Sequence, residues 1–241
     1  MPETSSSILS TANFNVPGLP LPVAVTRHRT ARRMRLRVDH DAGLIRLTVP
    51  ARASAKAALG WAKEQRLWVD AQLAAAPAAV PLEPGATIPF RGEPLELVWS
   101  ETRRRSFSLH EGRLTVGGPR ESFSSAVERW LRRQALDMLS AETARIAAEA
   151  GVVVRSVGVG DPVSRWGSCT SSGAIRYSWR LILAPPDLLR FVVAHEVAHR
   201  LHLDHGPRFK AVEGKLFGRP VAEARALLRE LAPTLRAVGR S

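Results

Sequence analysis

Four of the chain's seven histidines lie within eleven residues, in FVVAHEVAHRLHLDHGPRF at 191–209. No other stretch limits the possible folds as strongly. Several imidazoles gathered on an apolar helix face are costly to bury unless something binds them. His195 and His199 are four residues apart, so on an α-helix they sit one above the other and can converge on one ion. Glu196 is turned about 100° around the helix axis and addresses a ligand of that ion, not the ion itself. H-E-x-x-H on a helix is the arrangement of zinc hydrolases. The competing reading is an ordinary amphipathic helix, because Leu188, Val192, His195, His199 and His202 continue one core-facing row.

A catalytic zinc takes three protein ligands and keeps a fourth position for water. His205, six residues after His199, is the candidate third ligand, with His202 as the alternative. On a straight helix His205 would lie roughly 9 Å further along the axis, beyond bonds of about 2.1 Å. The spacing therefore predicts that the helix ends near Leu203, where Asp204, His205, Gly206 and Pro207 form a turn-prone run. Metzincins share this spacing. Here, however, His202 replaces the glycine of their pattern, and no methionine comes after it to build a Met-turn.

At 241 residues the chain can bury a sizeable core in one large or two small domains. Its single cysteine, Cys169, excludes an intramolecular disulfide framework and fits a reducing cytoplasm. The first 25 residues lack a basic segment followed by a continuous apolar one, and no 18-residue apolar run occurs. Neither export nor a membrane is expected. A net charge of +13 and a pI near 11.4 make nucleic acid or another polyanion a candidate partner. Four lysines leave 31 of the 35 basic residues as arginine, densest at Arg27, Arg29, Arg32, Arg33, Arg35 and Arg37 and again at Arg103, Arg104 and Arg105. Aromatic residues do not interleave with them in sequence, so a solvated basic face is the plainer reading.

In chain order, residues 1–20 read as a disordered tail rich in Ser, Thr, Asn and Pro. Residues 21–119 read as a β-rich N-terminal region with one helix. Met34, Leu36 and Val38 alternate with arginines, a turn comes around Asp41–Gly43, and Ile45, Leu47 and Val49 answer them, predicting a hairpin. A helix is expected over 53–76, then short strands at 87–90, 95–99, 107–109 and 114–116. Gly117, Gly118 and Pro119 mark the expected boundary, and residues 120–241 read as the catalytic domain. Its expected parts are a helix over 122–150, a strand over 152–159, and two strand-like runs in SRWGSCTSSGAIRYSWRLILAPP before the metal helix. In the second run Ile175, Tyr177, Trp179 and Leu181 share one face, with Arg176, Ser178 and Arg180 on the other. A strand beside the metal helix could take an extended peptide by edge pairing.

With WGSC at 166–169, YSWRLILAPP at 177–186, HEVAH at 195–199 and DHGPRF at 204–209 in that order, the chain resembles the YgjP-like metallopeptidases. ARRMRLRV, TVPARAS and WLRRQA are similar to that family's leading region. The resemblance implies an α+β fold: a minimal zincin with a small sheet, a backing helix and a zinc helix. It carries the motif onto His195, Glu196, His199 and His205, with Asp204 where relatives often have Asn. The related SprT-like and WLM proteases act on proteins crosslinked to DNA.

The expectation is a peptidase with one zinc per chain, acting on protein or peptide. Zinc lowers the pKa of its water, Glu196 serves as general base, and the metal polarises the scissile carbonyl. Tyr177, His202 and Arg208 are candidate oxyanion or substrate contacts, although Tyr177 also reads as a packed core residue. The alternative is a DNA-associated protein, either a protease of DNA-crosslinked proteins or a binding protein with structural zinc. Structural zinc would need a fourth ligand such as His202, Cys169 or Glu213.

Overall fold

The computed structural model describes residues 8–39, 42–75, 77–101, 104–162 and 164–240. By packing, the chain divides into Met1–Ala76 and Pro77–Ser241. The division thus falls well ahead of the Gly117–Pro119 run where it was expected. The strands before that run bury Ile88, Leu95, Leu97, Leu114 and Val116 in the same core as Leu131 and Val193, which follow it. Shared burial makes them part of the second unit.

In the first unit, residues 8–14 of the expected tail form β1 (Ile8–Phe14), antiparallel to β2 (Val23–His28). Backbone pairing satisfies this polar run in a way its side chains do not announce. Residues 1–7 lie outside the described residues, as do Asp41 and Arg103. The expected hairpin is β3 (Arg35–Asp39) with β4 (Leu44–Pro50), in register Leu36 to Leu47 and Val38 to Ile45. β2 runs parallel to β4 on its other side. The single helix expected over 53–76 is two, α1 (Ala55–Glu64) and α2 (Arg66–Ala74), because Gln65 leaves the helical basin at φ −84°, ψ 13°. The break turns Ala58, Ala62 and Val69 into one core with Val25, Ile45 and Leu47.

The second unit opens with β5 (Thr87–Phe90), β6 (Glu93–Ser100), β7 (Ser106–His110) and β8 (Arg113–Gly117). Their order, β5-β6-β8-β7, repeats the β1-β2-β4-β3 of the first unit, with antiparallel outer pairs around a parallel central pair in both. α3 (Phe123–Ala150) is next, stopped by Gly151 in the left-handed conformation at φ 66°. β9 (Ser156–Gly160), shorter than the strand expected, joins β10 (Gly167–Cys169) and β11 (Ala174–Ser178) in the order β10-β11-β9. β11 is parallel to β9 and antiparallel to β10, so β10 is an edge. α4 (Pro186–Ala198), α5 (Pro207–Phe217) and α6 (Val221–Ala237) complete the unit. The whole is an α+β zincin-like fold in which α3 backs both the small sheet and α4. None of the described helices is long and apolar enough to cross a membrane.

The last strand is expected to run through Leu181, but it stops at Ser178. The Ser178 hydroxyl accepts the Arg180 backbone N–H at 3.3 Å, and a 3-10 helix spans Trp179–Leu183. Arg180 therefore leaves the solvent face assigned to it and is buried. Its Nε and Nη2 donate to the two oxygens of Asp161 at 2.8 and 3.1 Å, and its Nη1 donates to the carbonyls of Leu235 and Val238. Burial alone would push the Asp161 carboxyl up, but the hydrogen bonds and charge of Arg180 outweigh it and hold the carboxyl below its usual 3.8. Arg180→Met should destabilise the second unit by on the order of 2 kcal/mol in denaturant unfolding, because it leaves two carbonyls and a part-exposed carboxylate without their donor. A depressed carboxyl pKa contributes stability above the unfolded pKa and loses it as pH falls through the folded one. The deficit of Asp161→Asn relative to wild type should therefore be full near pH 7 and shrink below about pH 4. A deficit independent of pH would mean that the pair contributes no charge-dependent stability.

Candidate metal centre

α4 begins at a double proline, with Pro185 capping and Pro186 in the first turn, where a missing N–H costs nothing. Asp187 suits the positive end of the helix and pairs with Arg219. Val193, Ala194, Val197 and Ala198 are fully buried, and Leu188 and Val192 nearly so. His195 and His199 are only part-buried. The helix stops at Ala198, short of the expected Leu203. Backbone bonds from Arg200 to Val197 (2.9 Å) and from Leu201 to Ala198 (3.0 Å) tighten its end. His202 is thereby removed from the helical row, and the chain turns back. The Asp204 side chain accepts the Gly206 N–H at 2.9 Å within this turn, and α5 starts at Pro207.

This reversal brings His205 against the other two histidines. His195, His199 and His205 each offer a ligand atom within 4.8 Å of the others'. The Nε2 atoms of His195 and His205 are 3.4 Å apart. Two nitrogens on a tetrahedral zinc, at bonds of about 2.0–2.1 Å, lie roughly 3.3–3.4 Å from each other. The Phe209 ring forms the floor, with its centroid 5.0, 4.6 and 4.8 Å from those of His195, His199 and His205.

The outward nitrogens of His195 and His199 are occupied. His199 Nδ1 donates to the carbonyl of His202 at 3.1 Å, and a carbonyl can only accept, so the proton is on Nδ1 and Nε2 keeps its lone pair. His195 Nδ1 faces the Glu213 carboxylate at 2.7 Å, and Glu213 also accepts from Arg225 Nη2 at 3.1 and 3.2 Å. Burial would push Glu213 up, but His195 and Arg225 outweigh it and hold the carboxyl low. Burial also pushes the His199 imidazole down, despite its bond to His202, and the neighbouring His195 and His205 add to that. A neutral imidazole is the form that binds metal. The donor set fits one zinc, and the His199 tautomer suits it. From sequence, Glu213 is a candidate only as a direct ligand. Its link to His195 spans 18 residues and joins two helices, and no periodicity announces it.

Glu196 is buried beside this cluster, and burial pushes its carboxyl up to about 7 against the opposing charges of His195 and Arg165. Beneath it lies Gly167 of β10, where any Cβ would sit 2.5 Å from Glu196 Oε1 and 2.7 Å from its Cγ. The glycine of WGSC is thus the space that the carboxylate occupies. The other candidates are not members of the histidine cluster. Tyr177 is fully buried, with its hydroxyl 3.0 Å from that of Thr143. Arg208 is exposed on the first turn of α5. Cys169 is part-buried on β10, its thiol pushed up by burial, and it is not a member of the cluster. Of the basic run in the first unit, Arg27 donates to the carbonyls of Ala51 and Ala53 and Arg37 pairs with Asp39 at 3.6 Å, while Arg32, Arg33 and Arg35 line an open basic hollow with His28.

Among known proteins, neither the curated sequences nor the solved structures contain a match. The family model described as YgjP-like, metallopeptidase domain, matches residues 32–230. That span takes in the hairpin of the first unit, the long helix and the whole histidine cluster, and by it the chain belongs to the YgjP-like metallopeptidase family.

Proposed function

We propose that the protein is a zinc-dependent peptidase in which His195, His199 and His205 hold one zinc and Glu196 moves the proton. The observation that carries this reading is the convergence of three imidazoles, two of them with their outward nitrogens occupied, next to a buried carboxylate that is not itself in the cluster. Family membership supports hydrolysis with a divalent metal; zinc and the individual roles go beyond it. Three protein ligands leave a position open, as catalytic sites do. The structural-zinc alternative lacks support for its fourth ligand, since Glu213 faces the Nδ1 side of His195, and neither His202 nor Cys169 joins the cluster.

When bound, zinc supplies Lewis acidity, lowering the pKa of a water toward about 7 and polarising a carbonyl. Glu196 accepts the proton of the attacking water at its carboxylate and returns it to the leaving amide nitrogen. Gly167 lets that carboxylate lie flat against β10. The free edge of β10 can pair with an extended peptide, whose main-chain bonds would align the scissile bond along α4. Phe209 and the Glu213–Arg225 pair hold the imidazoles in orientation.

Metal analysis should find about one zinc per chain, with His195→Ala, His199→Ala and His205→Ala each lowering occupancy and His202→Ala retaining it. Glu213→Gln should weaken zinc about 10- to 100-fold. Loss in His202→Ala with retention in His205→Ala would reassign the third ligand.

Glu196→Gln should keep fold and zinc yet lose about a hundred- to ten-thousand-fold in rate on a substrate found by an unbiased proteomic cleavage screen. Gly167→Ala should do the same by displacing the carboxylate, with zinc content unchanged. Near wild-type cleavage by Glu196→Gln would sink the mechanism.

A further inference from the structure

The first unit's arginine run stands out in the sequence, yet the second unit assembles a different basic site. A pocket of about 380 Å³ is lined by Trp99 of β6, Arg105 and Phe107 at β7, and Arg129, Trp130 and Arg133 of α3, with no carboxylate in its lining. Arg129 and Arg133 are four residues apart with Trp130 beside them, so they form one stripe of the helix. Arg105 immediately precedes the edge strand β7, Phe107 is its second residue, and both line the pocket. Phe107 is 45% exposed.

The two tryptophan rings are held in place. The Trp99 indole N–H donates to the Gly118 carbonyl at 2.9 Å, and the Arg120 guanidinium lies 5.4 Å from the Trp99 ring centroid. Phe90 backs Trp130 at 5.1 Å between centroids. Glu128, the carboxylate nearest in sequence on α3, is occupied by Arg132 at 2.7 Å. Among the described residues Arg105, Arg129 and Arg133 make no ion pair. A pocket of this kind matches a ligand that carries a planar apolar face beside a dense negative charge. An acidic peptide would use the arginines and leave the rings wet, whereas a duplex keeps its base faces stacked inside. Single-stranded nucleic acid presents both groups in alternation.

We propose that this pocket binds single-stranded nucleic acid, stacking bases on Phe107 and the tryptophans while Arg105, Arg129 and Arg133 take the phosphates. The proposal does not depend on the zinc-peptidase reading, because binding needs neither metal nor hydrolysis.

The test is fluorescence anisotropy of the full chain with labelled oligothymidylate and oligouridylate of about 12 nucleotides, over a salt series. Phe107→Ala should weaken binding about five- to 150-fold without changing the salt slope. Joint Arg129→Gln and Arg133→Gln should lower the log–log slope by about 1.4. Joint Arg32→Gln and Arg33→Gln, in the first unit, should leave slope and affinity unchanged. A preference for either sugar supports the proposal and identifies the strand type. It is overturned if neither oligomer binds at moderate salt, or if polyglutamate competes as well as the oligomers, which marks an acidic-protein site. It is also overturned if Phe107→Ala, with unchanged circular dichroism, binds as wild type, which reduces the interaction to charge alone.

Discussion

The convergence of the three histidines hangs on the chain reversal between His199 and Pro207. Had α4 continued as a regular helix, His205 would point away along the axis and His202 would extend the apolar row. Ending the helix at Ala198 releases backbone groups, and the reversal employs them: the His202 carbonyl accepts a hydrogen bond from His199 Nδ1–H, and the Asp204 side chain accepts one from the Gly206 N–H. One hydrogen bond thus turns the chain and selects the tautomer that leaves His199 Nε2 facing inward. Asp in place of the family's frequent Asn serves here, because the turn needs only an acceptor at that position.

Around this reversal the surrounding elements each supply one constraint. α5 brings Phe209 under the three rings and Glu213 behind His195, and α6 brings Arg225 to keep Glu213 charged. β10 brings a glycine where any side chain would push Glu196 aside. α3 supports the arrangement from behind, with Thr143 meeting the hydroxyl of the buried Tyr177. Buried polar groups of this sort stiffen a site when they find partners, as Glu213 and Tyr177 do.

Arginine plays three different roles in this chain, and composition cannot separate them. Arg27 and Arg180 are structural donors to backbone carbonyls, and Arg180 also closes on Asp161. Arg132 and Arg145 pair with helix carboxylates four or three residues away. Arg105, Arg129 and Arg133 gather beside aromatic rings contributed by three separate elements.

The sequence by itself determined the helix of the HEVAH motif, its two histidines on one face and the neighbouring glutamate, because those relations are local and arise from helical periodicity. It also located β5 to β8, the β3–β4 hairpin and α3, whose alternations and glycine stops are local too. Tertiary structure decided the rest. The helix broken at Gln65, β1 within the polar leader and the strand ending at Ser178 each depend on hydrogen bonds or packing partners that local patterning does not encode. The same holds for Glu213 behind His195, Gly167 beneath Glu196 and the meeting of Trp99, Phe107 and Trp130 with arginines that make no ion pair among the described residues. Residues distant in sequence become neighbours only when helices and strands pack. Periodicity assigns a residue to a face, and packing decides what that face meets.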